Sequence, residues 1–345
     1  MQILYMLYKR LKQEATMHNF QYTRAKNVAG AIAELSKNPA AKIVAGGTNL
    51  IDLMKYGVMS PDKLVDVNRL TEYNEIEQVS GKLYIGSMVR NSVAAANEIV
   101  LAVQPLLSQA MLAGASAQLR NKATMGGNLL QRTRCPYFYD INSACNKREP
   151  GTGCSALEGY NRMHAIFGAN DSCIAVNPSD MNVALVALDA VIMVTGPRGK
   201  RSIPMADFHR LPGTHPELDS TLDSKEVITG IVIPDNNFAK NTTYLKVRDR
   251  ASYAFALISV AVALEMDGDT IKDIRLAMGG VAHKPWRLTE AEQVLKGKKA
   301  SVENFRMAAE VAMKGAKSYG HNDFKLKLAP NSIVQALKTA SGVKA

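Results

Sequence analysis

Residues 42–55 have the sequence KIVAGGTNLIDLMK, which contains three local signals in a row. Residues 42–45 are typical of a short strand, the Gly46-Gly47 pair predicts a turn, and the apolar spacing from Leu50 onward predicts a helix. A glycine turn before a helix presents backbone N–H groups and the positive end of the helix dipole, which suits a phosphate. The stretch lacks the GxGxxG spacing of the Rossmann fingerprint, and a plain tight turn is the alternative interpretation.

A second glycine pair repeats this chemistry at residues 123–130, which have the sequence ATMGGNLL. Thr and Asn flank the glycines in both segments, so we predict that the two segments hold one pyrophosphate between them. Asp180 opens a predicted helix over 180–188. It is interpreted either as an acidic first-turn residue favoured by the helix dipole or as a contact to ligand hydroxyls.

The composition favours a folded chain of more than one domain, with 345 residues, 47% hydrophobic and 21% charged. A net charge of +11 permits nucleic acid, an anionic ligand or an acidic partner. Aromatic residues make up only 6% and no nucleic-acid-binding motif is present, so we predict no nucleic acid partner. No apolar run reaches the roughly 18 residues of a membrane span. Residues 1–16 are predicted to be an extension without a signal peptide, with a short docking helix as the alternative.

Further elements follow from hydrophobic periodicity. The first predicted helix has an apolar face of Ala29, Ile32, Ala33 and Leu35. Strands are predicted at 62–67, 83–86, 189–195 and 226–234, and helices over 92–113, 289–318 and 330–342. The polar turn at 234–237 predicts a domain boundary near 235–241.

The four cysteines lie within 39 residues, separated by nine, eight and eighteen residues. They are Cys135, Cys145, Cys154 and Cys173. The chain is too large for a disulfide scaffold, and the gaps lack the close pairs that are usual in zinc sites. Four thiolates with a proline directly after the first favour an iron–sulfur cluster, while zinc and free or paired thiols remain open.

These cysteines lie in residues 131–173, a stretch with no sustained period and too few apolar residues to order itself. A loop of this length inside a compact domain needs something to organise it, and we expect metal bonds to do so. Its basic residues are expected to offset the charge of the thiolates, with a solvated loop as the alternative: Arg132, Arg134, Lys147, Arg148 and Arg162.

Together these segments resemble the flavin-binding subunits of the molybdenum hydroxylase (xanthine dehydrogenase/oxidase) family. The resemblance rests on KIVAGGTNLIDLMK, ATMGGNLLQRTRCPYFYD, NPSDMNVAL, KVRDRASYAFALISVAVAL and MGGVAHKPWRL, and it covers roughly residues 17–340. The cysteine loop is similar to that of the flavin subunits of bacterial periplasmic aldehyde oxidoreductases.

The resemblance implies an α+β fold. It consists of a vanillyl-alcohol-oxidase-type (PCMH-like) FAD-binding domain of two subdomains over 17–236 and a C-terminal α/β flavin-family domain over 237–345. It also implies FAD and a [4Fe-4S] cluster as cofactors, with the four cysteines as the cluster's ligands and no catalytic residue of the chain's own. The implied FAD-binding residues are Ile43, Val44, Ala45, Gly46, Gly47, Thr48, Asn49, Leu50, Thr124, Met125, Gly126, Gly127, Asn128, Asp180, Lys246 and Tyr253.

The implied function is electron transfer within a heterotrimer. Electrons from an aldehyde would pass from a molybdopterin large subunit through a [2Fe-2S] small subunit to FAD, and then to an acceptor. The alternatives are the flavin subunit of a hydroxybenzoyl-CoA reductase-like, xanthine dehydrogenase-like or carbon monoxide dehydrogenase-like enzyme, and a zinc-stabilised basic scaffold. The expected location is the cytoplasm, or the periplasm by co-export with a partner that carries the signal.

Overall fold

The computed structural model describes residues 17–344, so the predicted extension at 1–16 lies outside the described residues. The N-terminal layer is a parallel sheet of three strands joined by two helices. Its elements are β1 Gln21–Arg24, α1 Val28–Lys37, β2 Lys42–Val44, α2 Leu50–Lys55 and β3 Lys63–Asp66. The strand order is β1-β3-β2, so β2 is an edge strand and the turn that follows it lies at the edge of the sheet.

Helix α1 begins where the Asn27 side chain accepts the N–H of Gly30 at 2.8 Å. The prediction that Ala29 and Ala33 belong to the apolar face is wrong, because a helix that begins at Val28 turns both towards solvent. The buried residues recur at helical spacing: Val28, Ala31 and Leu35.

The second layer is an antiparallel sheet with the strand order β4-β5-β8-β6-β7. Its strands are β4 Ile76–Val79, β5 Lys82–Gly86, β6 Val191–Gly196, β7 Gly199–Pro204 and β8 Val227–Ile233. The helices of this unit are α3 Asn91–Ala96, α4 Glu98–Val103, α5 Pro105–Ala113, α6 Ala117–Lys122, α7 Met125–Leu129, α8 Pro136–Tyr139, α9 Asp180–Ala187 and α10 Met205–Phe208, and a 3₁₀ turn spans Thr71–Tyr73. Pro105 takes the first position of α5, as predicted.

The C-terminal unit is an antiparallel sheet with the order β12-β11-β10-β9, which begins after the polar turn at 234–237. Its elements are β9 Asn241–Val247, β10 Ile258–Asp267, β11 Thr270–Gly279, β12 Trp286–Arg287, α11 Thr289–Leu295, α12 Val302–Ala312 and α13 Lys325–Ser341. The helical segments predicted within 289–318 are α11 and α12, and Gly297 at φ +75° follows the end of α11.

This sheet joins the two units because alternate residues of β10 and β11 face opposite sides. Ala261, Ala263 and Ala277 pack with α9 in the core of the second layer. The larger residues between them pack with the C-terminal helices: Val260, Val262, Leu264, Leu276 and Met278. Among residues 17–344, no helix is both long enough and apolar enough to cross a bilayer.

Residues 131–173 are irregular apart from α8, as predicted, and part of the loop packs against the rest of the chain. Phe138, Ile166 and Phe167 are buried. The N–H groups of Ile166 and Phe167 donate to the carbonyl oxygen of Val281 at 2.9 and 3.0 Å, and Asn177 N–H donates to Ala282. Packing and hydrogen bonds to the C-terminal unit therefore hold the second half of this loop.

Candidate cofactor site

A cavity of about 910 Å³ lies between the parallel sheet, the second layer and the C-terminal unit. Both glycine segments line it, together with residues from β9 and from the turn after it. All predicted cofactor-binding residues line this cavity except Met125. The Met125 side chain is buried in the core, where its sulfur lies 3.6 Å from Asn91 Nδ2, so it does not reach the cavity.

The two glycines of the first segment have different roles. Gly47 has φ +73°, a conformation that glycine adopts at little cost and that turns the chain from β2 into α2. Gly46 packs against the second segment, where a Cβ would lie 2.1 Å from the carbonyl oxygen of Lys122. Any larger residue at 46 would therefore push the two segments apart.

The second segment is held by its own cap. The Thr124 hydroxyl accepts the N–H of Gly127 at 3.1 Å, which starts α7. Gly126 lies against Ser87, whose Cβ would be 3.0 Å from an added Cβ. Two short helices thus start beside the same cavity, and the N–H groups at the start of α7 already bond to Val89, Ser87 and Thr124.

Asn49 carries a polar atom that points to a missing partner. Its Oδ1 accepts the N–H of Arg132 at 2.9 Å, so it does not cap α2. Its Nδ2 is buried without a hydrogen-bond partner among the described residues, and the residue lines the cavity. Buried polar groups are normally paired, so a ligand acceptor at this position fits the amide.

Asp180, in the first turn of α9, lies between the two units of the fold. Its Oδ2 is 2.7 Å from Lys246 Nζ, and its Oδ1 accepts the Tyr244 hydroxyl at 2.8 Å. Lys246 also donates to the carbonyl oxygen of Ala113 at 3.1 Å. Burial raises the pKa of Tyr244 well above its ordinary value, so it stays a hydrogen-bond donor. Asp180 and Lys246 both line the cavity, but each already makes hydrogen bonds within the protein.

The turn after β9 closes one side of the cavity. Tyr253 has φ +50°, and 57% of its surface is exposed. Arg250 Nε donates to its carbonyl oxygen at 2.9 Å, which holds this unusual conformation. The sequence did not indicate Arg134 and Phe255, whose guanidinium and ring lie 5.2 Å apart at the cavity wall. Their contact joins positions far apart in the chain and leaves no local signal.

The four cysteines are free thiols that come together in the fold. Cys145 and Cys154 face each other across an antiparallel bridge. Cys154 hydrogen-bonds to Cys173, and this bond lowers the pKa of Cys154 and raises that of Cys173. Burial, with a smaller contribution from the neighbouring Cys145 and Cys154, raises the pKa of Cys135 to about 12.

Backbone amides point at these sulfurs. The N–H groups of Tyr137 and Phe138 bond to Cys135 and lower its pKa. Those of Ala156 and Ile174 do the same for Cys154. Amide donors around thiolates are part of how proteins hold iron–sulfur centres. Among residues 17–344, no group of three or more His, Cys, Asp or Glu side chains is arranged to hold a single metal ion.

Most basic residues of the loop form ion pairs with carboxylates. Although the contact with Cys154 and burial raise the pKa of Cys173, Lys147 acts against them and favours the thiolate, as expected. Burial raises the pKa of Asp219, but Lys147 and Arg132 outweigh it and hold the pKa at about 2. Arg148 donates to backbone carbonyl oxygens, at 2.8 Å for Tyr137. The ion pairs join Arg132 and Lys147 to Asp219, Arg134 to Asp52, and Arg162 to Asp249.

Two family descriptions match this chain. Residues 18–236 match the FAD binding domain in molybdopterin dehydrogenase, and residues 243–340 match the CO dehydrogenase flavoprotein C-terminal domain. Neither description names an iron–sulfur cluster. The two matches confirm the predicted order of an FAD-binding domain and a smaller flavoprotein domain.

Several characterised proteins are similar over most of their length. The aldehyde oxidoreductase FAD-binding subunit PaoB of Escherichia coli is 47% identical over 327 residues, which cover 94% of this chain and 99% of PaoB. The glyceraldehyde dehydrogenase medium chain of Sulfolobus acidocaldarius is 32% identical over 81% of this chain and 82% of its own. A chain of carbon monoxide dehydrogenase from Hydrogenophaga pseudoflava superimposes with a TM-score of 0.75 at 26% identity, covering 96% of this chain and all of that one.

Proposed function

Because this chain belongs to the family of FAD-binding subunits of molybdopterin dehydrogenases, we propose that it transfers electrons within a molybdenum-dependent aldehyde oxidoreductase. The observation that carries the proposal is the convergence of two glycine segments on one large cavity beside four clustered cysteines. The similarity to an aldehyde oxidoreductase subunit over nearly the whole chain supports the substrate class.

The proposed FAD site assigns a task to each part of the cavity. The turn at Gly46 and Gly47 would bind the pyrophosphate through backbone N–H groups, and the start of α7 would line the cavity beside it. Asn49 Nδ2 would gain the acceptor that it lacks. Asp180, fixed by Lys246 and Tyr244, would accept from hydroxyl groups of the cofactor with its remaining lone pairs. Bound FAD would supply the redox chemistry, and the chain would position it.

The four cysteines are proposed to hold one [4Fe-4S] cluster. Their convergence, their free thiols and the surrounding amide donors fit such a cluster. A buried thiol whose pKa is about 12, as for Cys135, carries its proton at neutral pH, so cluster binding would release protons. A zinc ion held by the same thiols is the competing possibility, and metal analysis separates the two.

The proposed partners are a molybdopterin large subunit and a [2Fe-2S] small subunit in a heterotrimer, with a separate electron acceptor. The relatives named as a medium chain support membership of a multi-subunit enzyme. The net charge of +11 suits acidic partner surfaces, which would be steered to it.

The proposal is tested by adding an aldehyde anaerobically to the purified complex and recording the visible spectrum. We expect the flavin bands to bleach in the complex and to stay unchanged in this subunit alone, because it has no aldehyde site of its own. A complex whose flavin is not reduced by any aldehyde but is reduced by a purine or by carbon monoxide would overturn the substrate class. A chain that binds no flavin would overturn the proposal as a whole.

A further inference from the structure

One histidine lies directly against a cysteine of the proposed cluster. His164 Nε2 is 3.1 Å from Cys135 Sγ, a hydrogen-bonding distance for sulfur. Only 2% of the His164 surface is exposed. A neutral imidazole carries its single N–H on either Nε2 or Nδ1.

The surroundings of the ring decide where this proton lies. His164 Nδ1 is buried and has no partner among residues 17–344. A proton on Nδ1 would be a buried donor without an acceptor, which is costly. A proton on Nε2 would point at the sulfur. Once Cys135 is a metal-bound thiolate it has no proton to give, so Nε2–H becomes the donor and Cys135 Sγ the acceptor.

The backbone of His164 is fixed from the C-terminal unit. Its carbonyl oxygen accepts from Lys325 Nζ at 2.8 Å and from Asn322 Nδ2 at 3.3 Å. Lys325 is fully buried and also donates to the carbonyl oxygen of Gly280 at 2.7 Å. The N–H of His164 donates to the carbonyl oxygen of Asn161 at 3.0 Å. The segment at residues 322–325 and the neighbouring Asn161 therefore hold the backbone that carries this ring.

The pair also lies on the side of the cysteines that faces the large cavity. A smaller cavity of about 130 Å³ has Cys135 and His164 in its wall together with Asp180 and Phe255. Asp180 and Phe255 line the large cavity as well. Of the four cysteines, only Cys135 lines this smaller cavity. A change at its sulfur would therefore act on the part of the cluster nearest the flavin site.

We propose that His164 tunes the reduction potential of the iron–sulfur centre by donating its Nε2–H to the sulfur of Cys135. This inference rests on the proposed cluster. When the centre takes up one electron, its sulfurs become more negative and the hydrogen bond strengthens, which favours the reduced form. The proton stays on Nε2, and no bond forms or breaks. His164 is thus a positioning residue that acts through Cys135.

The test compares His164→Leu, which removes the donor, with His164→Gln, which can keep an N–H towards the sulfur. The complex is titrated with dithionite and mediators, and the centre is followed by paramagnetic resonance. We expect the Leu variant to favour the oxidised form about tenfold more, a shift of about 59 mV to lower potential for one electron. The Gln variant should recover most of the shift, and the flavin potential should stay constant in both.

His283→Leu is the matched control, because His283 is a buried histidine whose ring, unlike that of His164, makes no hydrogen bond to a cysteine sulfur among the described residues. Its cluster potential should equal that of the wild type. An unchanged potential in an iron-replete His164→Leu variant would overturn the inference while leaving the proposed cluster intact. Absence of iron from the wild-type subunit would instead overturn the cluster itself.

A spectroscopic measurement keeps the inference testable if the Leu variant loses iron. Wild-type complex labelled with ¹⁵N-histidine is reduced, and the nitrogen hyperfine coupling is recorded together with coupling to an exchangeable proton. A weak nitrogen coupling with an exchangeable proton supports the hydrogen bond. A strong nitrogen coupling would show that His164 is a direct ligand of the centre, and the absence of coupling would show that His164 does not contact Cys135. Either result overturns the inference.

Discussion

Replacement of Gly46 by alanine tests the contact between the two glycine segments. An added Cβ would lie 2.1 Å from the carbonyl oxygen of Lys122 and 2.8 Å from its carbon. The second segment would have to retreat by about 1 Å, because interiors are close-packed and both atoms belong to the backbone. Because the same backbone leads into Thr124, we expect the cavity to lose its geometry for a pyrophosphate.

Gly47→Ala and Gly57→Ala separate this effect from simple backbone strain. Gly47 and Gly57 have φ +73° and +70°, so alanine at either should cost about 1–2 kcal/mol of folding stability. An added Cβ at Gly57 meets nothing within 4 Å, and Gly57 does not line the cavity. If Gly47→Ala lowers the binding free energy of FAD by a similar amount, the affinity for FAD falls about five- to thirtyfold.

The assay measures FAD per protein after gel filtration, the dissociation constant of FAD from fluorescence quenching, and the melting temperature of the apoprotein. We expect Gly46→Ala to lose most FAD, Gly47→Ala to bind it more weakly, and Gly57→Ala to bind it normally despite a lower melting temperature. Full FAD occupancy in Gly46→Ala, or equal FAD loss in Gly57→Ala, would refute the reasoning.

Three further changes have expected outcomes. Cys145→Ala should abolish the cluster's absorbance and leave most FAD in place. New proteolytic cleavage should be confined to the part of the loop before His164. Cleavage after His164 would contradict the hydrogen bonds that join this part of the loop to the C-terminal unit. Lys246→Met leaves the Asp180 carboxylate buried without its cation and should lower the free energy of unfolding by about 3–5 kcal/mol in denaturant titrations, whereas an unchanged value would mean that the pair is not formed. Burial lowers the pKa of Lys325 from 10.5 to about 7, so between pH 7 and 10.5 the unfolded chain binds more protons than the folded one. The free energy of unfolding should therefore rise with pH in this window by up to about 1.4 kcal/mol per pH unit. This slope should vanish in Lys325→Met.

The local features of the site could be predicted from the sequence because each has a local signal. Glycine pairs before helices indicated both binding segments, and the spacing of the cysteines indicated that they act together. Met125 differs from its neighbours in the same segment, because the side chain of this first residue of α7 is buried in the core and does not line the cavity. Residue type alone does not reveal this direction.

The contacts that position the site could not be predicted, because they join distant parts of the chain. Lys325 reaches the carbonyl oxygen of His164 across 161 residues, and neither residue stands out in sequence. The pairing of Lys147 with Asp219 spans 72 residues and gives this basic residue of the loop a partner outside the loop. Buried ion pairs of this kind depend on tertiary packing, and periodicity carries no information about them.

Flavin and metal analysis of the subunit purified without oxygen tests the central claim most directly. The account predicts one FAD and about four irons per chain, with a flavin spectrum superimposed on the broad absorbance of an iron–sulfur centre. One zinc per chain without iron, or a colourless protein that does not take up added FAD, would contradict it.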